Sequence, residues 1–361
     1  MRAMKPTVLF ISGREVDYIR NRVLLNALRR HFDVVVFTAG ARSTTARIAT
    51  GLTRFVAQRP HYDVCFVGFY GQPIAIALSR LQRKPIVCDA YVSTFDTLCE
   101  DRRWFAPRSV VGRLAYWLDR RCCQVVDRIV TDTQAHTRYF ARTFGIPESK
   151  FTTIYVGCDE TLFYPRDEAP ADPQRFEVFY YGAFLPLHGT DVIVQAAALL
   201  RDRPEIHFTL GGNGACRAQV QQVITNLALT NVDLVGWIPL EQLPAHIARA
   251  SICLGGHFST VPKAARVIST KTFQFIAMRE ATIVGDNPAT REIFTPGEHV
   301  YTVPMGDPAA LADAIRILAT DEMLRHRIAS AGHQLFQHRL ATHTIAEQLA
   351  HTIEGTLGLG R

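Results

Sequence analysis

Short β-rich apolar runs alternate with longer amphipathic stretches through the first half of this sequence, stop at a proline-rich segment, and then start again. The first series runs through residues 8–12, 17–30, 34–37, 45–58, 64–67, 73–81, 86–88, 110–125 and 128–131. Strand and helix periods in strict alternation predict a mostly parallel sheet covered by helices on both faces. The second series begins with Val178-Phe179-Tyr180-Tyr181-Gly182 and continues through 192–200, 206–210, 217–227, 232–235, 240–248, 252–254, 271–277 and 282–284. Between them, residues 164–173 carry three prolines and no periodicity, which reads as a linker with the boundary near residue 168. The last third is helical, with apolar residues at helical spacing over 308–319, 322–336 and 342–356.

The pattern predicts two α/β domains, 1–167 and 168–338, with a C-terminal helix in 339–361 that crosses back to the first. Ligands of open α/β sheets bind beyond the carboxyl ends of the strands. Two such sheets facing each other would make a cleft suited to a two-substrate transferase.

Charge divides unevenly between the halves. Residues 1–165 hold 24 Lys and Arg against 14 Asp and Glu, whereas residues 166–361 hold 16 against 19. The basic half favours an anionic partner. Nucleic acid is not supported, because no zinc-finger spacing, RNP motif or aromatic-basic ribbon is present. An anionic membrane leaflet and a phosphate-bearing acceptor both fit. The segment 104–121 mixes Trp104, Phe105, Tyr116 and Trp117 with Arg108, Arg113, Arg120 and Arg121, which suits an anionic lipid surface or an ordinary helix with a basic outer face. The apolar run at 7–11 is too short for a signal peptide, and no stretch approaches a membrane span, so a cytoplasmic protein with peripheral contact to the inner membrane face is expected. Eight cysteines without a CxxC pair read as reduced core thiols, not as a zinc site or a disulfide framework.

Six segments of the second half occur in a telling order. They are Val156-Gly157-Cys158-Asp159 leading to Phe163-Tyr164-Pro165, then Tyr181-Gly182 to His188-Gly189, and Leu210-Gly211-Gly212-Asn213-Gly214. Val235-Gly236-Trp237-Ile238-Pro239, Ile268 to Met278, and Gly285-Asp286-Asn287-Pro288 to Glu292 follow. This order resembles the retaining family 4 glycosyltransferases (group 1), over about residues 150 to 335. The resemblance implies the GT-B architecture: two Rossmann-like domains with parallel sheets facing an interdomain cleft, acceptor in the first and nucleotide-sugar donor in the second.

On this resemblance, Gly182, Gly189, Gly212 and Asn213 belong to loops whose bare backbone, with a helix N-terminus, accepts a phosphate charge. His188 stands where the family places a lysine or arginine against the diphosphate. A neutral imidazole would donate one hydrogen bond there, and a surface histidine without a role is the alternative. Lys271 is the expected catalytic cation, in the first turn of a helix that Ser269 or Thr270 can cap. Lys263 and Arg266 complete a clamp or are solvated surface charge. Trp237 and Ile238 would contact the base. The family's paired glutamates, eight positions apart, are replaced by Arg266 and Gln274; Gln274 can still bond ribose hydroxyls, while Arg266 cannot accept a hydrogen bond. Glu292 matches another acidic position of the family, with capping or a salt bridge as the alternative.

In the first half the glycine loop after strand one is reduced to Ser12-Gly13-Arg14, and the histidine of many family members is not evident. Asp89, at a strand's carboxyl end, is the candidate acceptor-binding group or base, with Tyr91 as the positional alternative. The resemblance implies retention without a metal or other cofactor: a hexose-type sugar leaves a nucleotide diphosphate, UDP or GDP, for a hydroxyl of a glycan or lipid-linked acceptor. A nucleotide-sugar epimerase and an inactive nucleotide-sugar-binding partner subunit are the competing readings.

Overall fold

The computed structural model describes residues 5–37, 43–168, 172 and 174–359, and the chain divides into two compact units. Unit 1 comprises residues up to Val156 together with those from Ala341 onward, and unit 2 comprises Gly157–Leu340. Residues 157–167, expected in the first domain, group with the second, where the Cys158 thiol is buried close enough to act on Tyr181. Of the expected linker, residues 169–171 and 173 lie outside the described residues, as do residues 1–4 at the start of the chain.

Unit 1 runs β1 (Thr7–Ile11), α1 (Ile19–His31), β2 (Asp33–Val36), α2 (Thr44–Gln58), β3 (Val64–Val67), α3 (Gln72–Leu81) and β4 (Ile86–Asp89). A π-helical turn (Asp96–Asp101), α4 (Val110–Val125), β5 (Arg128–Thr131), α5 (Gln134–Phe144) and β6 (Phe151–Thr153) complete it. All pairings are parallel in the order β2-β1-β3-β4-β5-β6, so the winding reverses between β1 and β3. Val8, Phe10, Val64, Phe66 and Val87 bury one sheet face under α1, because side chains alternate across a strand.

Unit 2 repeats the design with β7 (Phe176–Gly182), α6 (Thr190–Leu199), β8 (Ile206–Gly212), α7 (Arg217–Asn226), β9 (Val232–Val235), α8 (Leu243–Ala248) and β10 (Ile252–Leu254). It ends with α9 (Thr270–Ala277), β11 (Thr282–Asp286), β12 (Tyr301–Pro304), α10 (Pro308–Thr320) and α11 (Glu322–Arg339). Its parallel order is β12-β11-β10-β7-β8-β9, with the reversal between β7 and β10. The last helix, α12 (Thr342–Leu357), packs against α1 in unit 1 through Ile345, Leu349 and Ile353.

All eight cysteines are free and seven are buried, the Cys88 and Cys122 sulfurs lying 3.6 Å apart in the core of unit 1. No described helix is long and apolar enough to cross a membrane.

Candidate functional site

The carboxyl ends of β7, β8, β9 and β10 bring four loops of unit 2 into contact. Gly212, at φ +129°, ends β8 so close to the loop after β7 that a Cβ would stand 1.9 Å from the Gly182 carbonyl oxygen. Gly214 repeats this against the Ala183 carbonyl at 1.7 Å, with φ +152°. Only glycine tolerates both the conformation and the approach. The loop after β9 joins through the Gly212 N–H, which donates to the Gly236 carbonyl, and through Ile238, whose side chain covers Gly211. The loop after β10 joins through the Phe258 N–H, which donates to the His188 carbonyl. Asn213 is spent locally, its amide oxygen accepting from the Gly214 N–H.

Four side chains converge there. The Tyr180 hydroxyl and His188 Nδ1 are 2.9 Å apart. His188 stacks on His257, ring centroids 5.4 Å apart. Lys271 Nζ lies 4.9 Å over the Tyr180 ring and donates to Ser269 Oγ at 2.8 Å. Ser269 occupies the N-cap of α9 but makes no side-chain cap bond; its hydroxyl serves the lysine, which corrects the expected capping role. Gly189, at φ +69°, turns the chain from His188 into α6.

The electrostatics follow from burial. Burial pushes Lys271 down to about 7, and no carboxylate among the described residues pairs with it. Burial and then the Lys271 charge hold His188 well below its ordinary range and push His257 down to about 3, with Lys263 adding to the latter. Both imidazoles are therefore neutral and contribute hydrogen bonds, not charge. His257 is 4% exposed and its Nδ1 has no hydrogen-bond partner. The cluster thus presents one cation, buried donors and the first turn of a helix, which is what an anionic group requires.

His188 and Lys271 accordingly meet, with Lys263 buried on the turn Pro262–Ala265 close enough to act on His257. Arg266 closes that turn, its N–H donating to the Lys263 carbonyl. Trp237 is 72% exposed beside buried Ile238. Glu292 ends a short turn, Thr290–Glu292, that Asn287 organises by accepting from the Thr290 N–H. Gln274 departs from its expected role. Its side chain is fully buried and its Oε1 accepts from the Tyr181 hydroxyl, so the predicted ribose contact becomes a core hydrogen bond. Tyr180 and His257 went unmarked in the sequence; a histidine directly after Gly255-Gly256 at a strand end was the available signal.

In unit 1, Gly13 lets the loop after β1 press on the loop after β3, where a Cβ would be 2.2 Å from the Tyr70 carbonyl oxygen. Asp89 is corrected as a candidate base. Its side chain has no exposure and accepts from Arg20 Nη2 at 2.9 Å and Nε at 3.3 Å. A carboxylate without exposure, with both oxygens engaged by a guanidinium, is out of reach of a substrate proton. Tyr91, half-buried, packs edge-on to Phe69, which also contacts Tyr18 and Tyr70, so aromatic rings gather at the ends of β1, β3 and β4.

A cavity of about 480 Å³ elsewhere in unit 2, lined by Arg175, Glu177, Phe179 and His246 among others, includes none of the four clustered residues. Its lining mixes charge signs with apolar rings and suggests no ligand. Among the described residues no group of three or more His, Cys, Asp or Glu is placed to hold a metal ion.

The family described as Glycosyltransferase Family 4 matches residues 8–162, and the family described as Glycosyl transferase-like matches residues 193–354. Alpha-D-kanosaminyltransferase of Streptomyces kanamyceticus is 23% identical over 292 residues, covering 76% of this chain and 71% of the relative. Sucrose-phosphate synthase from Thermosynechococcus elongatus has a similar structure, with a TM-score of 0.78 at 17% identity over 99% of this chain and 100% of that one. HepE of Anabaena, in complex with UDP and glucose, gives a TM-score of 0.72 at 18% identity over 97% of this chain and 100% of that one. At such identities the structural likeness is one of fold.

Proposed function

The chain belongs to the family 4/group 1 glycosyltransferases, and on that premise we propose that it moves a hexose-type sugar from UDP or GDP to a hydroxyl acceptor, with retention and without a metal. The observation that carries this reading is Lys271, a buried cation without a carboxylate partner, set among Tyr180, His188 and His257 at the loops that end β7 and β10. The UDP held by HepE supports a uridine nucleotide as the first donor to try.

The chemistry needs stabilisation of charge on the departing β-phosphate more than it needs a base. As the C1–O bond to phosphate breaks, negative charge grows where the Lys271 ammonium, imidazole N–H groups and the first turn of α9 can oppose it. The acceptor hydroxyl attacks C1 from the face the phosphate leaves, and its proton passes to a phosphate oxygen. This route asks for no carboxylate base, consistent with the confinement of Asp89 by Arg20.

Incubating the purified protein with a panel of UDP- and GDP-sugars tests the reading. Slow nucleotide release, unchanged by EDTA and abolished in Lys271→Ala, is expected. An isomerised donor would instead mark an epimerase, binding without turnover a partner subunit, and loss in EDTA restored by Mg²⁺ a metal-dependent enzyme.

A further inference from the structure

Six of the nine large apolar side chains exposed among the described residues of unit 1 fall within residues 104–117. Trp104, Phe105, Val110, Val111, Leu114 and Trp117 are 38% to 73% exposed. On α4 the buried face is Gly112, Ala115, Asp119, Cys122 and Cys123, so Val110, Leu114 and Trp117 recur at one-turn spacing along the opposite side. A surface helix ordinarily turns its polar side outward; this one turns out an apolar stripe. The preceding segment belongs to the same surface. Gly112 permits it, since a Cβ there would stand 2.5 Å from the Ala106 carbonyl oxygen, and the close approach fixes Trp104 and Phe105 beside the start of the helix.

The charges around the stripe have one sign. Arg103, Arg108, Arg113 and Arg120 are exposed, and no carboxylate among the described residues pairs with them. Arg102 lies over the Trp104 ring, 4.7 Å from its centre. The acids of the segment face inward: Asp101 is 7% exposed, and Asp119, 1% exposed, accepts from Ser93 Oγ and the Phe95 N–H. Protein interfaces also favour tryptophan and arginine, but they are depleted of charge at their centres, whereas here exposed arginines without acidic partners accompany the whole stripe. Tryptophan with aliphatic side chains and unopposed arginines is instead the composition of a helix lying at a membrane surface.

We propose that this face docks the protein on an anionic lipid bilayer, α4 lying in the headgroup plane with Leu114 and Trp117 inserted and the arginines on lipid phosphates. The inference stands apart from the donor chemistry, since it uses no residue of that site. It also differs from spanning, for which α4 is too short and too charged.

The test uses the full chain carrying Trp237→Phe, which leaves the two patch tryptophans of the three in the sequence as fluorophores. It is mixed with vesicles of phosphatidylcholine alone and of equal parts phosphatidylcholine and phosphatidylglycerol. Co-sedimentation with the anionic vesicles only, weakened by salt and accompanied by a blue shift of tryptophan emission, is expected. Arg113→Gln and Arg120→Gln should each weaken partitioning about fivefold, and Leu114→Ser with Trp117→Ser about tenfold or more, all without moving the melting temperature. Equal binding to neutral vesicles, or no binding to either, would overturn the proposal. So would a lipid-free dimer that the Leu114→Ser/Trp117→Ser variant dissociates, because the patch would then join two copies of the chain.

Discussion

Arg20 and Asp89 are 69 residues apart in sequence and form an ion pair in which neither side chain has any solvent exposure. Arg20 Nη1 donates to the carbonyls of Ile154 and Tyr155, at 3.0 and 3.2 Å. One guanidinium thereby ties α1 to the end of β4 and to the chain leaving β6. Removing one member of such a pair leaves an uncompensated buried charge. Asp89→Asn should therefore lower stability by about 3–5 kcal/mol, measured by denaturant unfolding. A variant that keeps wild-type stability but loses turnover would return Asp89 to the role of base.

Lys271 makes donor binding depend on pH. With its pKa pushed down to about 7, the lysine loses its proton as pH rises through that value, and a diphosphate must restore it to gain an ion pair. UDP affinity should fall about tenfold per pH unit above about pH 7, with proton uptake visible by calorimetry in buffers of different ionisation heat. Stability moves the other way. The unfolded lysine titrates near about 10.4, so between about pH 7 and that value the unfolded chain binds more protons, and stability rises with pH. Lys271→Met should flatten both slopes; a UDP affinity independent of pH would contradict the assignment.

Both sheets were legible because their central strands are continuous apolar runs and their helices carry the helical period. The pieces that escaped have physical reasons. The buried face of α5 includes the polar His136 and Thr137 beside Phe140, Ala141 and Phe144, so its apolar stripe is short. Strands β6 and β12 are short edge strands of three and four residues. At the candidate site Lys271 was legible from the order of the segments around it. Tyr180 and His257 were not, because only the packing of separate strand ends brings them to the lysine. Asp89 was misjudged for the same reason, its partner lying far away on α1.

The glycines after β7 and β8 read as phosphate-loop glycines, yet the geometry gives them a prior task, close contact between two backbones. Gly212→Ala would combine a strained φ with a Cβ 1.9 Å from the Gly182 carbonyl oxygen. A loss on the order of 2–4 kcal/mol is expected in thermal or denaturant unfolding. Gly236→Ala is the control, since nothing lies within 4 Å of its Cβ, and it should change stability by less than about 0.5 kcal/mol. Equal behaviour of the two variants would show that the loop contact does not constrain the fold.

The bond from the Tyr181 hydroxyl to Gln274 Oε1 joins β7 to α9 just beneath the Lys271 cluster. Burial holds the phenol well above its ordinary range, so it is a donor at neutral pH. Gln274 Nε2 is buried without a protein partner, so the side chain already carries one uncompensated donor. Tyr181→Phe would add an orphaned acceptor, and Gln274→Leu would orphan the phenol; each should cost about 1–3 kcal/mol. The double variant removes both partners and should regain most of that loss, a coupling measurable as a double-mutant cycle by denaturant unfolding. If Gln274 instead served the ribose, Gln274→Leu would weaken UDP binding while stability stayed level, and the two changes would add without coupling.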